Sequence, residues 1–183
     1  MHTDALKDIT IIGAGPTGLF GAFYGGMRGA SCRLVDALPA LGGQLMALYP
    51  EKYIFDVAGF PKILAKDLVT SMVQQGLQFG ATTHMGEVVT GLHRVEEDGG
   101  YFVVDTSGGS YPSRTIIIAA GIGAFEPRRL PLANVERFEE KGLYHKVIDP
   151  QRFRGKKVLL VGGGDSAFDW AVNLQGVAES VML

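Results

Sequence analysis

Two glycine clusters carry the residue types and spacings that could hold a phosphate ester. The first, Gly13-Ala14-Gly15-Pro16-Thr17-Gly18, has GxGxxG spacing. In that pattern the first glycine makes a tight turn, the second lets a pyrophosphate approach the backbone, and the third allows close contact between helix and strand. About twenty residues on stands an acid, Asp36, placed to accept both hydroxyls of an adenosine ribose and to disfavour a 2′-phosphate. The second cluster, Gly162-Gly163-Gly164-Asp165-Ser166-Ala167, has GxGxxA spacing. Two such fingerprints in one chain suggest two dinucleotides, a tightly held flavin and a diffusible nicotinamide, and hence flavin-mediated hydride transfer. No side chain is assigned as catalytic. His145 reads as a surface or structural histidine, Asp165 and Asp169 as a helix cap and a helix face, and Cys32 as a small buried hydrophobe.

The elements that must position these clusters follow from hydrophobic pattern. Residues 9–12 are a short apolar strand, 16–28 a helical stretch and 33–35 a second strand ending at Asp36, a βαβ unit around the first glycine turn. Gly21, Gly25 and Gly29 extend a small-residue helix face suited to packing on a sheet. Residues 37–62 hold six prolines and glycines among aromatics, which predicts a long ordered loop. Apolar residues at helical spacing predict an amphipathic helix over 63–75, ending near Gly76. Three strand-like runs, 88–95, 101–105 and 115–119, separated by glycine-rich turns, predict a β-meander. After a connector at 126–155, a strand at 157–161, a helix at 166–174 and a strand from 180 open a second βαβ unit.

Composition agrees with a folded, water-facing protein. The chain has 183 residues, 46% hydrophobic and 20% charged, with 26 glycines and a net charge of -2. This excludes collagen-like and low-complexity classes and offers no broad basic field for nucleic acid or an anionic membrane. One cysteine forms no internal disulfide and no cysteine metal site. With neither a signal peptide nor an apolar run approaching the roughly 18 residues of a spanning helix, the expected location is the cytoplasm.

Gly13 to Gly18, Asp36, Leu41-Gly42-Gly43-Gln44-Leu45, Ile117-Ile118-Ala119-Ala120-Gly121 and Gly162 to Ala167 together resemble the pyridine nucleotide-disulfide oxidoreductase superfamily in its thioredoxin reductase branch. Two longer strings, residues 47–61 (Ala-Leu-Tyr-Pro-Glu-Lys-Tyr-Ile-Phe-Asp-Val-Ala-Gly-Phe-Pro) and 163–171 (Gly-Gly-Asp-Ser-Ala-Phe-Asp-Trp-Ala), resemble the thioredoxin reductase-like ferredoxin-NADP+ reductases. Thioredoxin reductases carry a CxxC just before the second fingerprint; here residues 142–147 read Gly-Leu-Tyr-His-Lys-Val. No internal dithiol is available there, which agrees with the second resemblance.

The resemblance implies a Rossmann-like FAD-binding three-layer ββα domain with a β-meander, over 1–119, and the start of a Rossmann-like NAD(P)H-binding domain, over 120–183. It implies FAD, with NADPH as co-substrate and ferredoxin or flavodoxin as electron acceptor. Gly15, Pro16 and Thr17 would touch the FAD pyrophosphate, Asp36 the adenosine ribose, Val89 the adenine through its backbone and Gln44 the flavin end. Tyr49 would lie on one isoalloxazine face and Phe125 would touch FAD beside the domain crossing. Gly13, Gly43, Leu45 and Gly121 belong to the same contact set. Gly162, Gly164, Asp165, Ser166 and Ala167 would form the NADPH pyrophosphate turn. Gly121 and Gly123 are hinge positions by the same resemblance. Members of the family run well past this length, so the chain is expected to be a C-terminally truncated piece, and a homodimer is expected. Two other readings stay open: an NAD(P)H:flavin oxidoreductase with another acceptor, thioredoxin reductase-like or otherwise, and a nucleotide-binding module without turnover.

Overall fold

A computed structural model describes residues 5–96, 99–123, 130–145, 147 and 149–183. The chain divides into two compact units, Met1–Glu126 and Pro127–Leu183.

In the first unit, strand β1 (Lys7–Ile12), helix α1 (Pro16–Met27) and strand β2 (Cys32–Asp36) form the expected βαβ motif, with β1 and β2 parallel. Cys32 to Val35 are all buried, as a central parallel strand covered on both faces must be. Helix α1 lies close to the sheet because its inner face is small: Gly18, Ala22 and Gly25 are buried, and a Cβ on Gly25 would sit 2.7 Å from Cys32 Sγ. Gly29 is not part of that face. It follows the helix, with open space around it.

Residues 37–62 are less irregular than the breakers suggested. They contain helix α2 (Gly43–Leu48) and strand β3 (Tyr53–Ile54), which pairs antiparallel with β4 (Ile63–Leu64). The breakers bound these elements instead of abolishing them: Gly42 precedes α2 in the left-handed region and Pro50 follows it. The β3–β4 pairing also delays the next helix, α3 (Ala65–Leu77), which starts two residues later than its periodicity predicts and ends one beyond Gly76. Strand β5 (Thr82–Met85) was not anticipated. It is an edge strand parallel to β2, largely exposed at Thr82 and Thr83, and its Thr-Thr-His-Met sequence has no apolar alternation to announce it.

The meander is β6 (Val89–Val95), β7 (Tyr101–Thr106) and β8 (Ser110–Ile118). Strand β8 begins five residues earlier than expected because it serves two partners. Its first half pairs antiparallel with β7 and its second half parallel with β1, giving the sheet order β5-β2-β1-β8-β7-β6. Helices α1 and α3 cover one face, where Leu19 and Ala22 of α1 pack with Ile11 and Leu34 of the sheet, while Val35, Val104 and Tyr111 form a second cluster. Arg33 is fully buried; its guanidinium donates to the carbonyls of Pro112 (3.1 Å) and Ala5 (2.9 Å) and lies 4.9 Å over the Tyr111 ring.

The second unit contains β9 (Lys157–Leu159), α4 (Asp165–Leu174) and β10 (Ser180–Met182), with the strands parallel. Strand β9 stops two residues short of the expected run, and α4 starts at Asp165. Two 3-10 turns precede them, Val135–Phe138 and Pro150–Phe153; Asp149 caps the second by accepting from the Gln151 N–H at 2.9 Å. Among the described residues, no helix is long and apolar enough to cross a membrane.

Candidate functional site

The C-terminal end of β1 turns at Gly13, whose φ of +107° and the Ala119 carbonyl in the place of a Cβ admit only glycine. The chain then enters α1 through Gly15, extended at φ -75°, with Pro16 as the first helical residue. No side chain caps α1 and no acid lies in its first turn. Its unpaired N–H groups and the positive end of its dipole therefore face outward as an anion site.

That helix end is one wall of a cavity of about 290 Å³. Gly15, Pro16 and Thr17 form this wall, Asp36 and Leu38 the next, α2 residues Gly43, Gln44, Leu45, Ala47 and Leu48 the third, and 119–123 the last. The volume is near the lower bound of small-molecule sites, roughly 300 Å³, and suits one section of an extended dinucleotide. The walls are fitted closely. A Cβ on Gly43, at φ +58°, would lie 2.7 Å from Gly15 Cα, and one on Gly121 would lie 3.4 Å from Gln44 Nε2. Gly42 N–H donates to the Ala14 carbonyl at 2.9 Å, tying the start of α2 to the turn.

Asp36 is locked into the same wall. Its Oδ2 accepts the Ala14 N–H at 2.6 Å and its Oδ1 the Leu38 N–H at 2.8 Å. Each oxygen keeps a free lone-pair direction for a hydroxyl donor.

Gly15 differs from Gly13 and Gly43. Its backbone angles suit any residue, and a Cβ there would make only an ordinary contact, 3.7 Å from Gly43 Cα. The protein itself does not require glycine at that position, yet glycine keeps the cavity wall open. In the second unit Gly163 and Gly164 behave the same way: neither has a positive φ, and a Cβ on either would meet nothing within 4 Å. Gly164 precedes α4 in extended conformation, Asp165, Ser166 and Ala167 form the first turn, and no side chain caps it; Gly162, at φ +149°, makes the bend before them.

The structure thus brings Gly15, Pro16, Thr17, Asp36, Gly43, Gln44, Leu45 and Gly121 to one cavity, with Gly13 directly behind it. It does not bring two of the expected residues to that wall. Tyr49 caps the end of α2, its N–H donating to Leu45 O at 3.2 Å and Lys52 Nζ 5.4 Å from its ring centre. Val89 pairs with Thr106 and packs on the Val35, Val104 and Tyr111 cluster. Phe125 lies outside the described residues. Leu38, Ala47, Leu48 and Ile122 line the cavity without having been singled out. Reading 37–62 as loop hid the two α2 residues; the glycine turn after β8 was the available signal for Ile122. Cys32 is buried at the start of β2, and burial pushes its thiol above the ordinary range. His145 Nε2 sits 3.7 Å from Glu139 Oε1 in the second unit.

The profile of the pyridine nucleotide-disulphide oxidoreductase family matches residues 79–183. The chain belongs to this family. A ferredoxin-NADP reductase of Thermus thermophilus is 54% identical over 183 residues, covering 100% of this chain and 52% of that protein. A ferredoxin-NADP reductase 2 of Bacillus subtilis is 50% identical over 176 residues, covering 96% and 52%. The chain spans about half the length of the curated relatives it matches. Among solved structures, Lactococcus lactis thioredoxin reductase superposes with a TM-score of 0.73 at 28% identity, over 96% of this chain and 55% of that one. The thioredoxin reductase of T. acidophilum, at 23% identity and a TM-score of 0.76 over 97% and 55%, shares the fold.

Proposed function

We propose that this chain is the nucleotide-binding half of a flavoprotein oxidoreductase that takes hydride from NADPH and passes single electrons to ferredoxin or flavodoxin. Residues 1–119 are the first segment of its FAD-binding domain and 120–183 the beginning of its NAD(P)H-binding domain. When bound, FAD supplies hydride acceptance and one-electron release. The chain's own part is to hold, orient and exclude water. Gly13 makes the turn behind the site, Gly15, Pro16 and Thr17 take the FAD pyrophosphate on the α1 N-terminus, Asp36 takes the ribose hydroxyls, and Gly43, Gln44, Leu45 and Gly121 hold the section toward the flavin. Val89 supplies backbone groups to the adenine, while Tyr49, directly after α2, and Phe125 complete the flavin end. Gly162, Gly164, Asp165, Ser166 and Ala167 receive the NADPH pyrophosphate.

The observation that carries this reading is the set of glycines the fold does not need. Gly15 in one unit and Gly163 and Gly164 in the other stand before uncapped helices where a Cβ would meet no conflict in the protein but would narrow the approach of a phosphate. The acceptor follows from the cysteine content and the relatives. The single, buried Cys32 leaves this chain without a dithiol, which favours discharge to a one-electron carrier, and the relatives are named ferredoxin-NADP reductases. The protein is read as cytoplasmic and as a homodimer; exposed Phe20, Tyr24 and Met27 along the outside of α1 support the second part of that reading.

The test uses the full-length protein containing this chain. Steady-state NADPH oxidation is measured with ferredoxin, flavodoxin and thioredoxin as alternative acceptors, and sedimentation gives the assembly state. Turnover with ferredoxin or flavodoxin is expected. Turnover with thioredoxin alone, or a purified protein without the visible bands of oxidised flavin that takes up no added FAD, overturns the proposal.

A further inference from the structure

Glu87, in the turn between β5 and β6, belongs to none of the motifs, yet it joins three parts of the first unit. Its carboxylate accepts the Thr106 hydroxyl at 2.5 Å and the Tyr111 hydroxyl at 2.9 Å, and His84 Nδ1 lies 3.6 Å away. Thr106 and Tyr111 flank the β7–β8 turn, where a Cβ on Gly108 would collide with the Glu87 carboxylate. The backbone of the β5–β6 turn, where Glu87 stands, faces the nucleotide wall. Glu87 N–H donates to Asp36 O at 3.0 Å and Gly86 N–H to Leu38 O at 2.9 Å.

The carboxylate is itself anchored in the packed interior of the unit. The hydroxyl that Glu87 holds belongs to Tyr111, whose ring lies under the Arg33 guanidinium, and Arg33 stands three residues before Asp36 on β2. The Gly86 and Glu87 N–H groups thus hold the carbonyls of the two residues that wall the cavity at its Asp36 and Leu38 end, while Glu87 itself does not line the cavity.

We propose that Glu87 is a positioning residue for the adenosine end of the nucleotide site, acting through Asp36 and Leu38 without touching the nucleotide. The proposal rests on the reading that this cavity holds FAD. Removing the carboxylate unties the β5–β6 turn from the Thr106 and Tyr111 hydroxyls, so the Gly86 and Glu87 N–H groups place the Asp36 and Leu38 carbonyls less firmly. The α2 end of the cavity is built from other segments and is spared.

The experiment uses the full-length protein stripped of flavin, with ADP and riboflavin as separate probes of the two ends. Glu87→Ala is expected to weaken ADP about tenfold or more, the scale of losing hydrogen bonds to a charged group, and to leave riboflavin affinity unchanged. Glu87→Gln, which keeps an acceptor oxygen, is expected to restore ADP affinity to within about threefold of the parent. Tyr111→Phe keeps the ring under Arg33 and removes one hydroxyl, so it tests the same link if Glu87→Ala does not fold; a loss of a few-fold for ADP alone is expected. Equal weakening of ADP and riboflavin, or an unchanged ADP affinity in Glu87→Ala or in Tyr111→Phe, overturns the proposal. A parent protein that binds neither probe instead refutes the FAD reading on which it stands.

Discussion

Two glycines that face each other across the turn should respond to the same substitution in opposite ways. At Gly15 the backbone angles are ordinary and a methyl would sit 3.7 Å from Gly43 Cα, a normal contact. Gly15→Ala is therefore expected to change stability by less than about 1 kcal/mol, because the restriction of the unfolded chain offsets alanine's weakness at the N-cap position that Gly15 holds. The same methyl projects into the cavity where a pyrophosphate must approach. Overpacking of that kind costs about 1–3 kcal/mol, which is roughly a 5- to 150-fold loss of FAD affinity. At Gly43 the φ of +58° adds about 1–2 kcal/mol for any L side chain. A methyl 2.7 Å from Gly15 Cα also falls about 1 Å short of the usual carbon–carbon contact of roughly 3.5–4.0 Å. Gly43→Ala is expected to cost about 2–5 kcal/mol in stability as well as FAD affinity. Urea unfolding of the flavin-free protein and fluorescence titration with FAD measure the two quantities separately. If Gly15→Ala destabilises as much as Gly43→Ala, the glycine at 15 serves the fold and not a ligand. If it folds and binds FAD like the parent, the assignment of the turn is wrong.

Asp36→Asn turns one of two acceptors for backbone N–H groups into a donor; a loss of about 1.5–3 kcal/mol should appear as FAD binding weaker by about tenfold or more in the same titration. Cys32, buried with its thiol pushed up chiefly by desolvation, should resist a thiol reagent in the native protein and react fully once denaturant is added; fast labelling of the native protein contradicts the packing. Acid stability should report on Asp8 and Glu87. The Ser31 hydroxyl and N–H hold Asp8 below its ordinary range; burial pushes Glu87 up, but bonds from Thr106 and Tyr111 and the His84 charge more than offset it and leave it lowered. The stabilisation is complete above the ordinary carboxyl range and is lost as pH falls through the depressed values, so Tm should drop below about pH 4. Glu87→Gln should flatten that drop, and an identical acid slope in the variant argues against a role for the carboxylate.

The features legible in the sequence were those completed within one short stretch of chain. Gly13 and Gly15 announce the strand–turn–helix and Asp36 the end of the next strand, because a tight turn, a helix start and a strand end each depend on a few adjacent residues. Gly162 to Ala167 repeat the pattern for the same reason. The family resemblance pointed to Gly43, Gln44, Leu45 and Gly121, which line the cavity and which no local pattern supplies. What only the tertiary structure decided were the meetings of distant segments: α2 inside a stretch rich in breakers, the contact of Gly43 with Gly15 and of Gln44 with Gly121, the division of β8 between two partners, and the link from Glu87 to Asp36 and Tyr111. A polar edge strand such as β5 and a carboxylate in a turn such as Glu87 leave no hydrophobic period behind, because their stabilisation comes from partners tens of residues away. The sequence by itself determined which backbone could receive a phosphate; the fold decided which other segments close around it.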